Sequence, residues 1–466
     1  MLRLNHKCIT PIASFHEPGS RRAAFTPLQL PDVRELSEPK RRKRRAPVVH
    51  GRNTRNFVSE KSYNEPSSCS GVSGERRQLG FFENGGALPR RRYREKIIGP
   101  DRYAVLFAIA LVFWGRGFAQ ESGATPPPSP WNNIYNIRSW AGYKDNVLLG
   151  NRSTVDNAFV AGGLDALLWR MPVNGCEYFF FGTADYLRYF PGDEVNKELT
   201  AIAQAQVKRH FNDGWRTGLS LDYVYFDQVF DNSTFEREQA SIQVQAHSLT
   251  LRPSVRKEIA KHWFELEFPI TRQDFREFID DYWEGGPKLI WGRKYSEKSE
   301  ISVSYEFNNR FHDTREIRDA QGGLAPGTNL EFQQHEVFAS LRHYWDKAQR
   351  WRTLARIGLE RNDDNGSGYY DYWRPQLTQQ VRYQTKVWEV KSEARLSYYD
   401  YDSQPLSDVD PSTRHRLNLI LNLRGERTLF KSLKCFAEYE HERSISNLGF
   451  DEYKVNTIMG GVDWGF

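Results

Sequence analysis

The residues of this 466-residue chain best placed to do chemistry are ten arginines and a glutamate set into alternating segments: Arg138, Arg252, Arg256, Glu306, Arg342, Arg356, Arg374, Arg382, Arg395, Arg414 and Arg416. Charged side chains that recur at period two share one face of a strand. Along a water-filled path, guanidinium groups favour anions or anionic sugars; paired with carboxylates, they hold shape instead. Hydrolytic chemistry is not signalled, because the chain lacks GxSxG, HExxH and P-loop patterns, so no catalytic residue is expected. Cys8, Cys69, Cys176 and Cys435 form no CxxC or zinc-type spacing, so no metal or cofactor is expected either. A Cys176–Cys435 disulfide depends on geometry that spacing does not give. The segment Asn362–Gly368 (NDDNGSG) has the oxygen ligands for calcium, yet the same residue types build an ordinary hairpin turn, and the hairpin is the simpler expectation.

The elements that carry these residues follow from composition. Aromatic residues are abundant (Trp 13, Tyr 23, Phe 29) while the mean hydropathy is -0.70, a combination that suits half-exposed strands better than helical membrane spans. The net charge of +6 divides unevenly. Residues 1–119 hold 23 Lys and Arg against 10 Asp and Glu, a net of +13, which leaves 42 against 49 in the remainder, a net of -7. A nucleic-acid partner would therefore rest on the N-terminal arm alone, and none is expected.

Residues 1–96 are rich in Arg, Pro, Ser and Gly, include the run Lys40–Arg45, and read as a disordered basic arm. Residues 97–119 read as a signal peptide: RRRYREK just upstream supplies the positive region, Ala104–Trp114 the apolar core, and Gly117–Ala119 the cleavage site, leaving Gln120 first. An apolar run of about 11 residues is short of the roughly 20 that a spanning helix needs. Signal peptides begin near the translation start, so a start at Leu79 or Leu88, with the arm not made, is an expectation of this reading. Residues 120–131 form a Pro-rich spacer, and 132–466 the folded body.

Throughout the body apolar and polar residues alternate. In Arg414–Arg424, Leu417, Leu419, Leu421 and Leu423 oppose Arg414, Arg416, Asn418, Asn422 and Arg424. The same split separates Ile301, Val303, Tyr305 and Phe307 from Ser302, Ser304, Glu306 and Arg310, and Phe264, Leu266, Phe268 and Ile270 from Glu265 and Glu267. Sixteen such segments can be placed, within a range of fourteen to eighteen; 198–210 and 244–258 have compositions that would also suit helices. Their connections alternate between tight (Pro172–Gly175, Ala260–Lys261, Gln384–Thr385) and long (Asp227–Glu238, Asp274–Gly286, Asp313–Asn329, Asp402–Pro411). Of the long ones, Asp313–Asn329 is expected to fold back as a constriction, with Asp274–Glu284 as the alternative, which could equally be a helix resting on the rim or a receptor surface.

The chain ends VNTIMGGVDWGF, placing Ile458, Val462, Trp464 and Phe466 on one face of a last strand. This resembles the C-terminal strand of porin-like bacterial outer-membrane β-barrel proteins, which ends in Phe with apolar residues at every second position before it. In that family the terminal strand is the assembly signal, so the resemblance implies periplasmic chaperones and the barrel-assembly machinery as partners, beside outer-membrane lipid. The fold class expected is all-β, a single antiparallel up-and-down transmembrane barrel of about 16 strands, since strands can cross lipid only in a closed sheet. A soluble sandwich, propeller or β-helix would show similar alternation, but blade-length repeats are missing. The function expected is a passive channel for small hydrophilic solutes, anionic ones among them, or export of a saccharide, in the cell outer membrane of a Gram-negative-type bacterium. The alternative is a non-conducting surface barrel that binds a partner or surface polymer through its long loops. Substrate and oligomeric state are not written in these patterns.

Overall fold

The computed structural model describes residues 130–466 apart from 152–153, 193–194, 232–240, 277–280 and 408. The basic arm, the signal peptide and nearly all of the Pro-rich spacer lie outside the described residues.

The alternating segments are strands. In chain order they are β1 (Trp131–Lys144), β2 (Asn157–Val173), β3 (Cys176–Phe190), β4 (Lys197–His210), β5 (Trp215–Asp231) and β6 (Ser241–Ile259). Next come β7 (His262–Glu267), β8 (Ile270–Phe275), β9 (Tyr282–Gly285), β10 (Lys288–Lys294), β11 (Glu300–Arg318) and β12 (Leu324–Tyr344). The rest are β13 (Trp351–Asp364), β14 (Tyr372–Gln384), β15 (Trp388–Pro405), β16 (Thr413–Thr428), β17 (Leu433–Ser446) and β18 (Tyr453–Gly465). The segments at 198–210 and 244–258, whose composition would also suit helices, are strands β4 and β6.

Eighteen strands make sixteen walls, because Pro269 separates β7 from β8 and Pro287 separates β9 from β10. Proline has no N–H to give to the ladder, so each pair is one wall interrupted at its proline. Both β7 and β8 pair with β6, and both β9 and β10 pair with β11. Every other strand pairs antiparallel with its sequence neighbours, and β1 pairs with β18 from Asn136↔Gly465 to Lys144↔Thr457. Backbone bonds between Tyr135 and Phe466 in both directions seal the seam. The sheet therefore closes on itself, and the Phe-ended strand is the closing one: the fold is an outer-membrane-type β-barrel of sixteen walls.

Both termini of the barrel and the tight turns lie at one end. The turn after β2 shows how sequence fixes register there: Asn174 and Gly175 both take positive φ (54° and 76°), which a two-residue hairpin requires. The long connections lie at the opposite end.

Parity then sorts the side chains. Leu421 and Leu423 on β16 point outward and are exposed, whereas Arg414, Arg416 and Arg424 on the same strand are buried on the inner face. Phe264, Leu266, Phe268 and Ile270 line the outside of the β7–β8 wall. Apolar outside and charged inside is the reverse of a soluble protein, and it suits a barrel whose outer solvent is lipid. Trp131, Trp215, Trp351 and Trp388 are exposed at the short-turn rim, and Trp283 and Trp373 at the long-loop rim.

Two long connections turn inward. Val147 and Leu149 bury against inner-face residues: Val147 in a cluster with Trp140, Phe159 and Met459, Leu149 with Tyr453 and Val455. Tyr369 and Tyr370 bury against Leu330 and Phe332 of β12. The structure corrects the expectation for Asp313–Asn329. Most of that segment extends β11 and β12, with Glu316↔Asn329 and Arg318↔Leu324 in register, so only Asp319–Gly323 connects them. The inward elements are instead the connection after β1, through Val147 and Leu149, and the 365–371 connection. Likewise the Asp274–Glu284 segment is a hairpin and not a helix in its described part: Gln273↔Tyr282 pair across it.

Candidate functional site: the inner face of the barrel

All eleven sequence-derived residues stand on inner-face positions, and the structure shows what each one meets. Arg138 reaches Asp165 (2.8 Å) and Asp185 (2.9 Å) on the two following strands. Arg252 faces Asp222 at 3.5 Å, and Arg256 lies 3.9 Å from the centroid of the Trp263 ring while bonding Glu258 (2.9 Å) and Glu265 (3.3 Å). Glu306 takes Lys288 (3.2 Å), Arg342 takes Glu300 (3.1 Å) and Arg382 takes Glu389 (2.6 Å). Arg356 stacks on Phe338, 3.6 Å from its centroid.

Toward the long connections, Arg374, Arg414 and Arg416 are fully enclosed on the inner face. Arg374 pairs with Glu360 and donates to the Tyr399 hydroxyl at 2.9 Å, while the Tyr372 hydroxyl donates to Glu360 at 2.9 Å. Arg414 holds Asp451 (2.5 Å) and Gln404 (2.7 Å), and Arg416 donates to Asn418 and Ser444, both at 2.8 Å. Arg395 is different. It pairs with Glu393, yet its side chain keeps 26 % exposure, against 0 % for Arg414. Its cross-strand neighbours are Thr378 and Ile420.

The inner face is thus largely a set of charges matched to carboxylates on the same strand or one or two strands away, rather than a one-signed ladder. Sequence reasoning picked out the arginines and missed most of their partners, although parity marks Glu265, Glu336, Glu360, Glu389 and Glu438 just as clearly. It set Arg424 and Arg310 on the charged face of their segments without counting them among the site residues: Arg424 binds Glu426 (2.5 Å), Glu438 (3.0 Å) and Asp463 (3.0 Å), and Arg310 pairs with Glu284 and lies 4.1 Å from the Tyr282 ring centroid. The ladder's signal was in the same alternation.

The four residues that the resemblance marks as an assembly signal, Ile458, Val462, Trp464 and Phe466, are all exposed, the first three on β18 and Phe466 just beyond its end. Cys176 and Cys435 are both free thiols. In the Asn362–Gly368 segment, Asp364 Oδ1 accepts the N–H groups of Gly366 (2.7 Å) and Gly368 (3.0 Å), and Oδ2 accepts that of Tyr370 (2.7 Å). Asp371 Oδ1 accepts the Asp364 N–H at 2.7 Å. Those carboxylates serve the turn.

No family model and no curated protein sequence matches this chain. Among solved structures it is similar to OccAB3 of Acinetobacter baumannii (10 % identity, TM-score 0.40, covering 72 % of this chain and 99 % of that one). It is also similar to OccK2 (OpdF) of Pseudomonas aeruginosa, solved in complex with glucuronate (8 %, TM-score 0.40, 72 % and 98 %). A third is OmpT, an outer-membrane protein of Vibrio cholerae (9 %, TM-score 0.37, 73 % and 99 %). The closed sheet and its sorted side chains, not these likenesses, carry the functional reading.

Proposed function

We propose that this barrel sits in the outer membrane of a Gram-negative-type bacterium and works as a porin-like passive channel for small hydrophilic solutes. The observation that supports this most is the closed sixteen-wall sheet with an apolar outer face and a charged inner face. A polar interior in a lipid-embedded sheet makes a path for what lipid excludes. Short turns then face the periplasm and long connections the exterior.

The paired charges refine the reading. Each guanidinium that already holds a carboxylate adds little net field, so the path is polar and only weakly selective for charge. Anion or saccharide preference comes from the few cations a solute can reach, among them Arg395, beside Thr378, which is more exposed than Arg138, Arg252, Arg256, Arg342, Arg374, Arg382 and Arg414. Single-channel recording of the purified protein in a planar bilayer tests this. Stable steps whose anion preference falls in Arg395→Gln but not in Arg414→Gln are expected. A heat-modifiable barrel that stays silent would overturn the channel and favour binding through the long loops.

A further inference from the structure

The short-turn rim carries a second pattern, on the outside. Strands β2, β4, β6 and β16 all run toward that rim, and near its lower end each presents an outward cation beside an aromatic ring. Arg170 lies between Trp131 (6.0 Å to the centroid) and Tyr178 (5.4 Å). Arg209 lies 5.8 Å from Phe211, Lys257 4.8 Å from Trp215, and Arg427 5.2 Å from Trp388. Among the described residues Arg170, Arg209 and Arg427 have no carboxylate within ion-pair distance, and Lys257 has only the exposed Asp213 at 3.7 Å.

The long-loop rim uses the same unit differently. Arg272 lies 5.5 Å from Trp283 but is ringed by Asp274 (2.7 Å), Asp281 (3.5 Å) and Asp313 (2.8 Å). Arg361 lies 5.3 Å from Trp373 and is ringed by Asp363 (2.7 Å), Asp371 (3.4 Å) and Asp402 (2.5 Å). One guanidinium among three carboxylates is a net negative group, which repels an anion. A guanidinium on an aromatic face with no carboxylate attracts one.

We infer that the cation–aromatic seats of the short-turn rim bind the phosphates of glycerophospholipids in the leaflet on that side. The height suits the ligand: the rings sit where apolar wall gives way to turn, the level at which headgroups meet acyl chains. The spacing suits it as well. Cations on β2, β4 and β6 stand on every second strand, about 10 Å apart at ordinary strand separation, so each can hold its own lipid. The inference rests on the proposed membrane placement and not on conduction; a silent barrel that still holds phospholipid would overturn only the channel.

The test is native mass spectrometry of the whole protein from detergent, titrated with phosphatidylglycerol or with diacylglycerol of the same chains, with and without excess inorganic phosphate. Phosphatidylglycerol should be retained over diacylglycerol. Binding should weaken about fivefold for each cation removed in Arg170→Gln and Arg427→Gln. Arg170→Lys should recover much of the loss, and Arg361→Gln at the other rim should leave retention unchanged. Equal retention of both lipids, or wild-type retention by the Arg170→Gln/Arg427→Gln variant, would overturn the inference. So would complete displacement of the lipid by inorganic phosphate, which would make the seats sites for free anions. Unchanged heat-modifiability keeps a folding failure from being read as lost binding.

Discussion

Arg374 and Arg427 are the same residue type in the same kind of strand, and they live opposite lives. Arg374 points inward, is fully enclosed, and is held by Glu360, Glu336 and the Tyr399 hydroxyl. Arg427 points outward at the short-turn rim and rests beside Trp388 with no carboxylate partner among the described residues. Parity along the strand and height in the barrel decide between these fates. Inside, a charge removed from bulk water needs a protein counter-charge; at the rim, water and headgroups supply it, and the Trp388 ring lies beside the guanidinium.

The two arginines should therefore differ widely in what it costs to remove a partner. Glu360→Ala leaves Arg374 enclosed with its main counter-charge gone, and breaking such a pair costs about 3–5 kcal/mol. Arg427→Ala removes an exposed cation–aromatic contact worth about 0.5–1 kcal/mol. Urea unfolding of the two variants in lipid vesicles measures both. Equal shifts would mean that the inner pairs are as well hydrated as the rim, and the distinction would fall.

A smaller effect sharpens the same contrast through packing. A Cβ on Gly358 would lie 2.1–2.2 Å from Phe338 ring carbons, so this inner-face glycine makes room for the ring on which Arg356 stacks. Gly425 faces outward and meets nothing within 4 Å. Gly358→Val should destabilise by about 1–3 kcal/mol through overpacking, whereas Gly425→Val should stay within about 0.5 kcal/mol. The same vesicle unfolding assay reads both, and a neutral Gly358→Val would show that the Phe338–Arg356 stack moves freely.

How much of this was legible in the sequence depends on the physics of each feature. Alternation fixed which residues face inward, because period two is a local property of a strand. It located sixteen walls and placed all eleven chosen residues on the inner face. It was silent on partners, because register across strands joins Arg424 to Asp463 over a span that no local pattern encodes. It misjudged the inward connection for a related reason. Gly-Gly and Ala-Pro-Gly in 313–329 looked like a flexible loop, yet Gly322 at φ 87° serves a tight turn at the tip of a long hairpin. What draws 365–371 inward is the match of Tyr369 and Tyr370 to Leu330 and Phe332, residues thirty or more positions away. The rim pattern was missed because it needs outward position, height and a cross-strand neighbour at once.

The inward tyrosine connection gives a last distinction, between charges that the fold neutralises and one that it does not. Asp371 lies at its base, faces the Arg361 guanidinium at 3.4 Å, and has Asp363 and Asp364 as close neighbours. Burial first, then the charge of those aspartates, pushes its carboxyl up to about 6, against the pull of the Asp364 N–H and Arg361. A carboxyl raised in the folded state binds its proton more tightly there than in the open loop. Its contribution to the docked loop is therefore complete at acid pH, below its ordinary value near 4, and is lost as pH rises through about 6. Protection of the Tyr369 and Tyr370 amides, corrected for intrinsic exchange, should then be higher at pH 5 than at pH 7.5. Asp371→Asn keeps an oxygen for the Asp364 N–H without the charge, so it should hold the higher protection at both values. A wild-type loop whose protection does not change over that range, or an Asn variant that still follows pH, would place the titrating group elsewhere.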